Sequence, residues 1–293
     1  MRHADRVTNL GQKDSHLRDV IRHFIRHRLA MVSLAILFVE ILLVITLPSI
    51  LQLNPTKMQA APYTAPNSNL LLGTDDIGRD VLARLLYGGQ MSLMIGLCSA
   101  TLAALIGIPL GLVAGYFGGA VRAVILRITD VFMAIPMMIA AMFIVAVVGN
   151  SRWTVIAVIG ILGWPTFCRL AYGRALSVKE NEYIEAARAI GISPVGQILR
   201  YILPNSIAPL LVAYSMSIAS SIVTESSLSF LGIGIQPPEA SWGNMLYSAQ
   251  SLSILSYNWW MWLPAGICLV VTVLSINFIG DGLRDALDPK MKV

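Results

Sequence analysis

The sequence predicts an all-α membrane protein with six transmembrane helices, on three observations. The 293 residues are 56% hydrophobic and only 13% charged. Their mean hydropathy of +0.71 is too high for an ordinary soluble domain. Six apolar segments reach the roughly 17 to 25 residues that a helix needs to cross a bilayer. They lie near Leu29 to Leu53, Ser92 to Tyr116, Ala123 to Val148, Trp153 to Tyr172, Ile207 to Leu231 and Trp260 to Gly280.

Basic residues set the orientation. With the N-terminus in the cytosol, 17 of the 21 lysines and arginines fall on the cytosolic side, and only Lys57, Arg79, Arg84 and Arg152 face outward. The positive-inside rule then places both termini of a multi-pass membrane protein in the cytosol. The net charge of +5 reports this topology and points to no nucleic-acid partner.

Residues 1–28 read as a cytosolic tail whose amphipathic helix lies on anionic membrane lipid, with Leu17, Val20, Ile21 and Phe24 turned inward. Arg22, Arg26 and Arg28 surround His23 and His27 and would repel a metal ion. All four histidines, with His3 and His16, lie in this tail, which excludes H-E-x-x-H zinc chemistry and argues against Ser-His catalysis within the membrane. The first span reads as an uncleaved anchor within a membrane domain covering residues 29–293: its basic leader is long and no small-residue cleavage site follows.

Residues 54–91 form the first expected extracytoplasmic segment. Asn54 to Asn69 reads as an extended, structureless link. Gly73-Thr74-Asp75-Asp76 then starts a helix through Tyr87, capped by Thr74 or Asp75. Asp75, Asp76 and Asp80 lack the closing glutamate and oxygen spacing of a calcium loop.

The second span carries Gly107, Gly111 and Gly115 one step after Ala103, a face stripped of side chains for close helix packing. In the third, Arg127 sits three residues before Asp130 and answers its charge. Glu40 in the first span has no visible partner. Cys98, Cys168 and Cys268 are odd in number and lie in or beside spans, which argues against a disulfide framework.

Residues 173–206 are a charged cytosolic interruption that reads as helix, turn, helix. Ser177 and Glu180 form a capping box. Tyr183, Ala186, Ala187 and Ile190 make an apolar stripe, with Glu182, Glu185 and Arg188 away from it. Gly191 supplies a left-handed stop, and Ser193-Pro194 restarts a helix. The fifth span is rich in hydroxyls: Ser217, Ser220, Ser221 and Thr224, with Glu225, are candidates to line a water-filled path, the alternative being helix packing. Residues 232–259, the second extracytoplasmic segment, hold Pro237-Pro238 and Trp242. Tyr257, Trp259, Trp260 and Trp262 follow as an interfacial aromatic belt.

This chain contains no Gly-Lys pair and so no Walker A loop for ATP. Gly88-Gly89-Gln90 resembles the end of an ATPase signature but abuts the second span on the outward side.

Glu185-Ala186-Ala187, Gly191 and Leu203-Pro204 resemble the EAA loop through which ABC importer permeases engage their ATPases; Tyr201 stands where the consensus has isoleucine. Residues 72–81 (LGTDDIGRDV), 225–244 (ESSLSFLGIGIQPPEASWGN) and 280–289 (GDGLRDALDP) resemble signatures of the second permease subunit of dipeptide and oligopeptide importers. The resemblance implies a type I importer (MetI-like) permease fold, a sister permease completing the pore, two cytosolic ATPases holding ATP and Mg, and an extracytoplasmic substrate-binding protein. It implies ATPase coupling through Glu182, Tyr183, Glu185, Ala186, Ala187, Gly191, Leu203 and Pro204. It implies a place in the bacterial cytoplasmic (inner) membrane, and no catalytic residue, metal or cofactor in this chain. It implies a cargo that is a di- or oligopeptide, or nickel, glutathione or another small solute. A secondary transporter or channel would account for the spans but needs no docking loop. A DNA-binding reading of residues 178–203 fails for basic residues, since its recognition helix offers only Arg200.

Overall fold

The computed structural model describes residues 21–287. Its helices are α1 (Arg28–Ile50), α2 (Val81–Phe117), α3 (Gly119–Ala134), α4 (Met137–Val148), α5 (Arg152–Lys179), α6 (Glu182–Ala189), α7 (Pro194–Gln197), α8 (Leu203–Phe230), α9 (Trp242–Tyr247), α10 (Leu252–Tyr257) and α11 (Leu263–Leu287). Residues 21–26 are also helical, with Ile21 exposed and Phe24 half-buried. The rest of the expected amphipathic tail, including His3, His16, Leu17 and Val20, lies outside the described residues.

With 37 residues, α2 is about 55 Å long at 1.5 Å per residue and defines two faces of the molecule. Its start lies against residues 54–80 and 231–262, the cap face. Its end at Tyr116 meets Lys179 and Gln197, the loop face. Five helical segments are long and apolar enough to span a membrane. The sixth crossing is the pair α3 and α4, bent by 82°. The pair leaves α2 at the loop face and delivers the chain to Arg152, which is paired with Glu239 of the cap at 3.2 Å. Its ends are therefore on opposite faces, and it is a broken span. The single helix expected over Ala123 to Val148 breaks at Ile135-Pro136 because Pro136 has no N–H and its ring excludes the carbonyl four residues back.

The largest helix pairing is α2 with α5. A Cβ on Gly107 would strike the Trp164 carbonyl, and one on Gly111 the Cys168 carbonyl. On Gly115 it would lie 2.5 Å from the Ala175 Cβ. Backbones thus touch over three successive turns, the geometry by which small residues hold helices together in lipid.

Other boundaries also move. Ser177 lies inside α5, so there is no capping box with Glu180; α6 begins after Asn181, whose amide bonds back to the carbonyls of Ser177 and Val178. On the cap face α2 starts at Val81 with Asp80 as its cap, accepting from the Leu82 amide at 2.8 Å. Burial pushes the Asp80 carboxyl above its ordinary value, against the lowering effect of the Leu82 and Ala83 amides. Thr74 and Asp75 have other partners. Thr74 Oγ1 donates to the Ala61 carbonyl and accepts from the Thr64 amide, and the Gln59 amide donates to Gly78. Residues 54–80 are therefore a folded cap, not a structureless link. Trp242 is fully buried over Gly89, and Trp260 is buried and donates to the Thr74 carbonyl, so neither belongs to an interfacial belt. Tyr257 and Trp259 are exposed.

Candidate functional site

Three surfaces are candidate sites. The first is the loop face. Helix α6 ends in a left-handed residue, Gly191, at φ +81°. The Gly191 amide bonds to Arg188 and the Ile192 amide to Ala187, the paired bonds of a Schellman stop. Ser193 caps α7 through the Gly196 amide with Pro194 at its first position. Residues 198–202 then widen into a π turn before Pro204, and the helix runs on unbroken into α8. The span expected from Ile207 is the far part of one helix from Pro194 to Phe230.

The buried face of α6 is not the expected stripe. Ile184 and Ala187 are inside, Ile184 packed with Tyr116, Ala171, Val178, Ile198 and Ile202. Glu182, Tyr183, Glu185, Ala186, Ile190, Gly191 and Pro204 are exposed, while Leu203 is half-buried. Tyr183, Ile190, Val195 and Leu199 thus leave an uncovered apolar surface beside two carboxylates, a composition suited to a partner protein. Sequence reasoning missed the anchor beneath it. Tyr116 Oη donates to Gln197 Oε1 at 2.8 Å, Gln197 donates to the Ile192 carbonyl, and Lys179 Nζ donates to the Tyr116 carbonyl. This buried clamp ties the loop to the end of α2.

The second surface is α8. Ser217, Ser220 and Thr224 share a partly exposed side, where Thr224 Oγ1 bonds back to the Ser220 carbonyl at 2.8 Å. Ser221 and Glu225 lie on the adjoining, buried side, about a quarter turn around the helix. Glu225, expected beside a water path, is instead the centre of a closed polar knot: it accepts from Ser92 at 3.0 Å, Ser229 at 2.8 Å and Ser226 at 3.3 Å. Ser92 in turn accepts from the Trp242 amide and Ser229 from that of Ile235. One carboxyl thereby joins α2, α8 and the cap. Two further acids find partners the sequence did not show. Asp130 pairs with Arg169 of α5 at 2.6 Å, not with Arg127, and Glu40 accepts from Thr272 of α11 at 2.8 Å.

The third surface is a cavity of about 560 Å³ at the cap face, walled by residues 63–84 and by α8 to α10.

Known proteins settle the class of this molecule. The profile of the family described as "Binding-protein-dependent transport system inner membrane component" matches residues 107–293. The chain belongs to this family. It is therefore a multi-pass inner-membrane permease subunit of an ABC importer, of a kind without ATPase activity of its own. Residues 15–70 match the N-terminal transmembrane domain of oligopeptide transport permease C. The permease is 38% identical over 280 residues, 94% of this chain and 90% of the relative, to the dipeptide transport system permease protein of Alkalihalophilus pseudofirmus. A Brucella suis protein, named provisionally as a peptide permease, is 36% identical across 99% of this chain and 98% of its own length. The glutathione transport system permease protein of Pectobacterium atrosepticum is 41% identical over 78% of this chain and 75% of its own. A chain of the inward-facing MetNI methionine ABC transporter superposes with a TM-score of 0.58 at 19% identity, over 70% of this chain and 97% of that one, which establishes the shared fold.

Proposed function

We propose that this permease forms half of the translocation pore of an importer for di- and oligopeptides, beside a sister permease. Residues 173–206 face the cytosol and take up the motions of two ATPase subunits, which hold the ATP and Mg. Residues 54–91 and 232–259 face outward and meet a substrate-binding protein. The observation that carries the peptide reading is the near full-length similarity to a dipeptide permease. The similarity to a glutathione permease favours one second reading, the same machinery carrying glutathione. A strain lacking this subunit is expected to lose uptake of labelled di- and tripeptides and regain it with the gene restored. Restoration of glutathione uptake alone would move the cargo to the second reading.

The pore is assigned to the exposed side of α8. In an otherwise cysteine-free complex, cysteines at Ser217, Ser220 and Thr224 are expected to react with a water-soluble thiol reagent, and one at Ser221, which is 6% exposed, to be at least about tenfold slower. Equal protection of all four in every nucleotide state would return this side to helix packing.

A further inference from the structure

The cap-face cavity has a volume within the range of about 300 to 1,000 Å³ that suits small ligands. Four charged residues meet at its wall. Arg79 Nε lies 2.6 Å from Asp75 Oδ2, and Arg84 Nε lies 3.4 Å from the same oxygen. These three side chains are each at least nine-tenths buried, at 8%, 6% and 7% exposure. Asp76, whose side chain is 54% exposed, lies 3.6 Å from Arg79 at the outer edge of the set. Two guanidinium groups therefore share one buried carboxylate, and Asp76 at the rim balances the remaining formal charge.

Arg84 is the under-bonded member. Its Nη2 reaches Asn244 Oδ1 at a long 3.4 Å, and its Nη1 is buried with no hydrogen-bond partner among the described residues. A guanidinium has five N–H donors, and a buried donor left unpaired is costly. Asp75 and Asp76 are the cavity's acids; Gln236, Tyr247 and Ser248 of the facing wall are neutral.

We propose that this cavity is a binding site for the carboxylate of a small solute, with Arg84 as the group that receives it. The fork of a guanidinium matches a carboxylate through two parallel hydrogen bonds. To offer that fork, Arg84 turns its buried Nη1 toward the cavity and releases its long contact to Asn244. Given the peptide reading above, on which the choice of solute rests, the group bound is the C-terminal carboxylate of a short peptide entering the transporter.

The test uses the complete transporter in nanodiscs without binding protein, and follows thermal stabilisation by trialanine, trialanine amide, acetate and acetamide. Trialanine is expected to stabilise at concentrations at least about tenfold below those of its amide, the scale of one charge-assisted hydrogen bond. Arg84→Gln is expected to abolish that difference. Ser251→Asp changes an exposed residue of the cavity wall away from the arginine contacts, and keeps the test decisive if Arg84→Gln fails to assemble. Its added negative charge repels the carboxylate and does not oppose the cationic amide, so the preference for trialanine over its amide is expected to narrow several-fold. Equal action of acid and amide, or an unchanged Ser251→Asp, would overturn the site. Uptake with binding protein present separates the two ideas: a complex that imports no peptide yet prefers acetate to acetamide keeps the site and loses the peptide reading. Peptide import without acid preference does the reverse.

Discussion

Gly191→Val is expected to leave the permease in the membrane and abolish uptake. At φ +81° a residue with a Cβ costs about 1 to 2 kcal/mol, and a β-branched one is worse placed still. No atom lies within 4 Å of the site a Cβ would take, so the cost is conformational and local. What is lost is the aim of α6 relative to α7, because the stop that holds them comprises the Gly191 and Ile192 amide bonds. Gly191→Ala should give a partial loss. Uptake assayed beside the amount of chain in the membrane fraction checks this, and normal transport by the valine variant would refute it.

Gly111→Leu is expected to act in the opposite manner, removing the folded protein itself. Its Cβ would strike the Cys168 carbonyl and lie 2.7 Å from the Ala171 Cβ. A backbone carbonyl cannot step aside as a flexible side chain can, so α2 and α5 must part. Overpacking alone costs about 1 to 3 kcal/mol, and separation forfeits the largest helix interface in addition. Gly173 of α5 is the control: no atom lies within 4 Å of its Cβ position, and Gly173→Ala should be neutral or slightly stabilising. Membrane yield and thermal stability report both. A leucine variant as abundant and stable as wild type would refute the packing account.

The spans were legible in the sequence because hydropathy records burial in lipid directly. Their ends were not, because helices continue through polar stretches whose partners are distant. Thr74 and Asp75 look like caps, yet one is held by Ala61 and the other by two arginines, leaving Asp80 to cap α2. Asp130 illustrates the same limit: Arg127 is near in sequence, but Arg169 is nearer in space. In the fifth span the count of hydroxyls was readable, but one stripe could not be told from two. Ser221 with Glu225 lies about a quarter turn around α8 from Ser217, Ser220 and Thr224, and only the positions of Ser92 and Trp242 decide where burial begins. The Gly191 stop and Ser193-Pro194 restart were visible because both are made by residues in immediate succession. The Tyr116 to Gln197 clamp joins residues 81 apart and left no local signal.

The coupling role of residues 173–206 is tested most directly by ATP hydrolysis in reconstituted membranes holding the full transporter, with and without loaded binding protein. Glu185 is exposed in the first turn of α6, where a carboxylate complements the helix dipole. Among the described residues it makes no side-chain hydrogen bond, so reversing its charge should spare the fold and act on the partner. Sites coupled through one complex change each other's binding energies reciprocally, with coupling typically of 1 to 3 kcal/mol. The permease alone should hydrolyse no ATP. In the wild-type complex loaded binding protein should raise hydrolysis, and Glu185→Lys should cut that rise by about fivefold or more. A Glu185→Lys complex that assembles and responds to binding protein like wild type would contradict the coupling role.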